Sequence, residues 1–136
     1  MTTQTTTSPA AVVQAGFEAF GKGDLAAFGE MFHADATWNH RNPDDLGGIH
    51  RGRDGILAFI VESGERTAGT LRAAPLAVLA GDGSQVAVVT RVSATRPDGR
   101  AFDDTQILLF AVDRDRVRSV DQYIGDPPAV TAFWAA

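Results

Sequence analysis

Apolar side chains recur along this chain with two different periods, and the change from one to the other divides it. From residue 9 the spacing is helical. Val13, Phe17 and Phe20 stand at i, i+4 and i+7, one face of an amphipathic helix. Ser8 followed by Pro9 supplies a capping oxygen and a proline at the first helical position. "GKGD" breaks this helix, and Asp24 caps a second, short one lined by Leu25, Phe28, Met31 and Phe32. Residues 36–40 read as extended. The stretch 42–52 holds proline, glycine and acids and reads as a loop. Ile56, Phe59, Ile60 and Ser63 mark a third helix. After Gly69 the chain becomes rich in β-formers over 71–80, 85–96, 100–112 and 116–124, with the turn signals "GDGS", "RPDG" and "DRDR" between. This predicts a meander of four long strands. "ILLF" at 107–110 is apolar at both parities, so both faces of the sheet are expected to be covered. Asp126-Pro127-Pro128 starts a short C-terminal helix ending near Trp134.

Three helices followed by a twisted antiparallel sheet describe a segregated α+β domain. A curved sheet closed by three N-terminal helices makes a cone with an apolar interior, a shape suited to small molecules. One domain over residues 1–136 is expected, with residues 1–8 a disordered lead-in. The 44% hydrophobic and 21% charged residues are enough for a real core. The net charge of −5 argues against nucleic acid and acidic membranes as partners. Arg114, Arg116 and Arg118 alternate with Asp113 and Asp115, which reads as a solvated hairpin tip. The absence of cysteine excludes disulfides, thiolate nucleophiles and cysteine-zinc sites. No apolar run approaches the roughly 18 residues of a membrane span, and the N-terminus is not built like a secretory signal. A cytoplasmic protein is expected. So is a homodimer through the outer sheet face, because four strands apolar on both sides need more cover than three helices supply.

The candidate chemistry is concentrated in "TWNHRNPDDLGGIHRGRDG", residues 37–55. If 36–40 is a strand, Trp38 and His40 share a face. An imidazole there could take a proton near neutral pH, and Trp38 could stack on a ligand. Asp44 and Asp45 are expected in solvent. His50 is expected to orient the loop into helix 3, and His33 to meet the C-terminus of helix 2. The three histidines lack metal-ligand spacing, so neither a metal nor another cofactor is expected. Arg91 interrupts the apolar strand "VAVVTRVSA". If buried it needs a partner, which Asp104, Gln106 or Gln122 could supply, either as a structural ion pair or as a clamp on a ligand oxygen. Asp104 and Gln106 share parity with Leu108 and Phe110, a face read as inward. Phe17, Phe20, Phe59 and Phe110 are core or pocket lining.

The order of three segments carries a resemblance. "GKGDLAAFGEMFHADATW", "HRGRDGILAF" and "GRAFDDTQILLFAVDRDRVRSVDQYIGDP" resemble the SnoaL-like, nuclear-transport-factor-2-like superfamily, the cone fold of ketosteroid isomerase, limonene-epoxide hydrolase and polyketide cyclases. The epoxide-hydrolase pattern puts its arginine on Arg91 and its two acids on Ser93 and Gln122. Its tyrosine and asparagine fall on Trp38 and His40, and Val120, Gln122 and Ile124 point inward. Both acids are missing, so the resemblance does not imply epoxide hydrolysis. The isomerase pattern puts its base on His40, but its oxyanion donors fall near Gly16 and Leu108, which cannot donate from their side chains. Asp121 lies in the strand where the cyclases carry an acid, in an outward register. What the resemblance implies is proton-transfer chemistry (isomerisation, cyclisation or elimination) on an apolar or polycyclic metabolite. His40 would then be the base, Arg91 and Asp104 its helpers, and Trp38, Phe17, Phe59, Ser93, Gln106, Gln122 and Ile124 the binding surface. The alternatives are a non-catalytic carrier of a hydrophobic small molecule and a dimeric accessory subunit.

Overall fold

The computed structural model describes residues 8–81 and 83–136. The expected disorder of residues 1–7 and Asp82 of the "GDGS" turn therefore lie outside the described residues. The order of elements is α1 (Pro9–Gly21), α2 (Leu25–Glu30), β1 (Phe32–Arg41), β2 (Gly48–Arg51), α3 (Gly52–Arg66), β3 (Arg72–Ala80), β4 (Gln85–Thr95), β5 (Ala101–Asp113), β6 (Arg116–Tyr123) and α4 (Pro127–Trp134). The α+β class, the four-strand meander and the helix starts agree with the sequence reading. Ser8, Asp24 and Asp126 each accept a backbone N–H with the side chain, from Ala11, Ala27 and Ala129.

Two elements differ from expectation. The second helix stops at Glu30, and Phe32 already begins a ten-residue strand, so His33 lies in β1. Its Nε2 meets the carbonyl of Asp113 at 2.6 Å. The loop 42–52 contains the short strand β2, which pairs antiparallel with Thr37–His40.

The six strands form one sheet in the order β2-β1-β6-β5-β4-β3. β1 and β6 run parallel, and every other pair is antiparallel. Burial alternates along β5, with Phe102, Asp104, Gln106, Leu108, Phe110 and Val112 inward. Cross-strand register carries that face onto Val86, Val88, Thr90, Val92 and Ala94 of β4 and onto Val120 and Gln122 of β6. The helices cover this concave face. They leave the opposite one bare within the chain, so Leu76, Leu79, Ile107 and Tyr123 are exposed. The double cover inferred from "ILLF" is not met by the chain's own helices.

α4 closes one end of the cone. Phe133 packs edge-on against Phe102 and Trp134, and Trp134 lies tilted beside Phe102. Three arginines hold the helix by its C-terminal carbonyls: Arg100 donates to Ala132 and Ala135, Arg96 to Phe133 and Ala135, and Arg66 to Trp134.

At the β5–β6 hairpin, Arg114 and Asp115 both have positive φ, 52° and 67°. Two consecutive left-handed residues make the turn that matches the twist of a hairpin, and glycine suits its second position. Asp115→Gly should therefore raise stability by up to about 1 kcal/mol, read as a higher urea midpoint with an unchanged slope. An unchanged or lower midpoint would show that the turn carries no strain.

Candidate functional site

The helices and the concave face of the sheet form a cavity between them, a concave, apolar shape of the kind that takes small molecules. Its walls are mainly apolar. Phe17 and Phe20 come from α1, Phe59 and Ile60 from α3, Leu71 and Ala73 from the start of the meander, and Val92, Leu108 and Phe110 from the sheet. Gly16 faces it too, because the Met31 thioether fills the space beside it; a Cβ there would stand 2.0 Å from the sulfur.

Four polar side chains interrupt this lining: His40, Ser63, Gln106 and Gln122. Ser63 is turned back on its own helix, donating to the Phe59 carbonyl. The other three belong to one hydrogen-bonded chain. Gln122 Oε1 accepts from Trp38 Nε1 and faces His40 Nδ1, both at 2.9 Å. Gln122 Nε2 donates to Gln106 Oε1 at 2.8 Å, and Gln106 Nε2 donates to Asp104 at 3.2 Å. Asp104 also accepts from the backbone N–H groups of Gly125 and Asp126, both at 3.0 Å. It thereby ties the wall to the start of α4. Gly125 has no room for a side chain here: a Cβ would lie 2.3 Å from the Thr105 carbonyl and 2.7 Å from Asp104.

At the other end, His40 Nε2 meets Asp44 at 2.8 Å. This carboxylate is fully buried, with 0% of its side chain exposed, against 3% for His40. Burial alone would push the Asp44 carboxyl up. The hydrogen bonds from His40 and Asn42, the His40 charge and the Leu46 N–H outweigh that and hold it below its ordinary value. The same residue shapes the loop over the cavity. Its Oδ1 accepts from Leu46 N, its carbonyl accepts from Gly47 N, and Asn42 reaches on to Thr131 of α4. Leu46 is thereby turned into the cavity wall.

The polarity of this chain can be read from its ends. An indole N–H only donates, so the Gln122 atom facing Trp38 is the carbonyl oxygen. His40 Nδ1 faces that same oxygen and must donate to it. His40 Nε2 faces a carboxylate and must donate as well. The geometry is that of a ring carrying hydrogen on both nitrogens and paired with Asp44.

The sequence-predicted residues divide accordingly. Trp38, His40, Phe17, Phe59, Gln106 and Gln122 come together around the cavity. Asp104 stands just behind the wall. Ile124 packs on the core but does not reach the cavity. Arg91 and Ser93 are corrected: both lie on the opposite face of β4 from the cavity. The Arg91 side chain is 60% exposed and pairs with Asp103, whose carboxyl it holds below the ordinary value by a hydrogen bond. Neither Asp104, Gln106 nor Gln122 is its partner. Asp44, expected in solvent, is the other correction. Asp45 is exposed as expected and lies beside Arg66. Asp121 points outward and pairs with Arg41. His50 stacks on Phe59 and hydrogen-bonds the Leu46 carbonyl, so it does hold the loop. Among the described residues, no group of three or more His, Cys, Asp or Glu side chains is arranged to hold a metal ion. No helix among them is long and apolar enough to cross a membrane.

The family model of the SnoaL-like domain matches residues 13–120. The chain belongs to that family. It is 30% identical to uncharacterized proteins of Mycobacterium tuberculosis and Mycobacterium bovis, over 91% of this chain and 94% of theirs. Among solved structures it is similar to Bal32a from a soil-derived mobile gene cassette, with a TM-score of 0.89 and 31% identity, covering 93% of this chain and 95% of that one. TerC, co-crystallized with polyporic acid, shares the fold at a TM-score of 0.81 and 21% identity, over 93% of this chain and 98% of that one.

Proposed function

We propose that the cone binds a small, largely apolar metabolite and that His40, paired with Asp44, moves a proton on it in an isomerisation, cyclisation or elimination. The observation that supports this is the buried His40–Asp44 pair in the wall of an otherwise apolar cavity. A histidine held by a buried carboxylate and facing a dry pocket is an arrangement suited to proton transfer. The role differs from the base implied by resemblance. With both ring nitrogens donating, His40 acts first as an acid. Its Nδ1–H turns from Gln122 to an oxygen of the ligand, and Asp44 holds the ring as the proton leaves. The carbon-bound proton leaves to solvent at the open mouth of the cone, and the steps reverse to return it elsewhere. TerC, which shares this fold, was co-crystallized with an organic molecule, polyporic acid, in keeping with this reading. A cytoplasmic setting belongs to the same proposal.

A simple enolisable ketone tests this. Incubated with 2-tetralone in deuterium oxide, the protein should speed loss of the α-proton signals over buffer, and His40→Gln should remove most of that gain. Binding of 2-tetralone without faster exchange would favour the carrier reading. One observation supports that second reading: among the described residues, no carboxylate lines the cavity to serve as a base.

We also propose a homodimer through the outer face of the sheet. Leu76, Leu79, Ile107 and Tyr123 are exposed there, flanked by the Arg91–Asp103 and Arg41–Asp121 pairs. Mixed charges around an apolar centre suit a self-complementary contact. Light scattering should give twice the chain mass at micromolar concentration, and Ile107→Lys should return it to one. A wild-type monomer would reject the dimer.

A further inference from the structure

We infer that the paired amides of Gln106 and Gln122 form a subsite for a bare acceptor oxygen, so the preferred guests are apolar molecules bearing a ketone or quinone-like carbonyl. The inference rests on the small-molecule reading above and names the chemistry of its guest. It follows from counting hydrogen bonds along the wall. Gln122 Oε1 takes two donors, Trp38 Nε1 and His40 Nδ1, which fills its two lone pairs. That fixes which end of the Gln122 amide is nitrogen. Its Nε2 gives one hydrogen to Gln106 Oε1, and this orients Gln106 in turn. Gln106 Nε2 gives one hydrogen to Asp104. Each amide nitrogen carries two hydrogens, so each glutamine keeps one N–H that the protein does not use. Both side chains line the cavity, and both are buried, at 1% and 9% exposure.

The acceptors left over on this wall are one lone pair of Gln106 Oε1, which already accepts from Gln122, and the lone pairs of Ser63 Oγ, whose hydrogen is spent on the Phe59 carbonyl. An unused second lone pair costs little, whereas an unused N–H in an apolar pocket costs the full desolvation of a donor. The unmet demand of the wall is therefore for an acceptor. The two amides sit on adjacent strands, where Gln122 is in register with Leu108, two residues from Gln106. One oxygen between them would receive both N–H groups, beside the His40 ring. A hydrocarbon of the same shape would leave both donors dry. An alcohol oxygen can accept as well, but its own hydrogen then needs a partner, which a ketone does not ask for.

Three isosteric bicyclic probes, 1-tetralone, 1-tetralol and tetralin, separate these cases by calorimetric titration of the full chain, with Trp38 indole resonances reporting the site. The ketone should bind about tenfold more tightly than tetralin, the scale of one well-made hydrogen bond in a dry pocket, with the alcohol between. Gln106→Met should bring 1-tetralone down to the affinity of tetralin and leave tetralin itself nearly unchanged. Equal binding of ketone and hydrocarbon to the wild type would overturn the acceptor subsite while leaving the small-molecule reading intact. Tightest binding of the alcohol would also overturn it. Failure of all three to move the Trp38 resonances would overturn both. The wild-type series decides the matter even if the Gln106 variant folds poorly.

Discussion

A loss of about 10²–10⁴-fold in proton-transfer rate is expected for His40→Gln, the usual scale of a missing general acid or base. Glutamine is chosen because alanine would confuse two effects. The sequence suggests that His40→Ala should leave the melting temperature nearly unchanged, since a pocket-mouth histidine owes little to the core. In the fold, however, His40 covers the buried carboxylate of Asp44. Alanine would strand that carboxylate without a counter-charge and lower stability as well as rate. Glutamine can still offer an N–H to Asp44 but cannot release a proton. The variant should therefore keep most of its melting temperature and its affinity for an apolar ketone while losing exchange into 2-tetralone. Undiminished exchange in His40→Gln would remove His40 from the chemistry.

The largest effect on stability is expected at Asp44. Asp44→Ala leaves the His40 ring without its partner, frees the Leu46 N–H and removes the hub of the loop. Breaking a buried pair from one side costs about 3 kcal/mol or more, a drop on the order of 10 °C in melting temperature for a domain of this size. The effect has a pH signature. In the folded chain the Asp44 carboxyl is held below its ordinary value of 3.8, so the unfolded chain binds its proton first as pH falls. The stabilisation is complete at neutral pH, begins to fade near 3.8 and is lost as pH falls through the lower folded value. Urea melts should show a wide gap between wild type and Asp44→Ala at pH 7, narrowing steadily from pH 4 to pH 2. A gap that stays constant over that range would mean the carboxylate's charge contributes nothing.

Periodicity and capping carry much of the fold and part of the site. The four strands of the meander, the caps at Ser8, Asp24 and Asp126, and the shared inward face of Trp38 and His40 follow from alternation and local chemistry. So does the inward face of Asp104 and Gln106. The resemblance to the epoxide hydrolases turns Arg91 and Ser93 inward, against their place on the outer face of β4. The strand held a better signal. Val86, Val88, Thr90, Val92 and Ala94 make one wholly uncharged parity, while Arg91 and Ser93 fall in the other. A one-residue difference in register exchanges the faces entirely. Asp44 left no such trace. It follows Pro43 in a loop, where no period predicts direction, and "NPDD" reads as solvated until the fold brings it under His40. Likewise β1–β6 pairing, on which the Trp38–Gln122–His40 contact depends, has no signature in either strand alone.

That parallel pairing sets the tempo at which the molecule comes together. His40 and Gln122 are 82 residues apart in sequence, and β1 has no neighbour but the short β2 until β6 is in place. Contacts that span so much chain are slow to form, because loop-closure entropy is spent before they return anything. The β3–β6 meander, whose strands are joined by short turns, is free to assemble early, with β1 docking on its edge afterwards. The polar chain through His40 is thus expected to lock among the last features. Lesions in it, Asp44→Ala above all, should act mainly by hastening unfolding, with refolding rates close to those of the wild type.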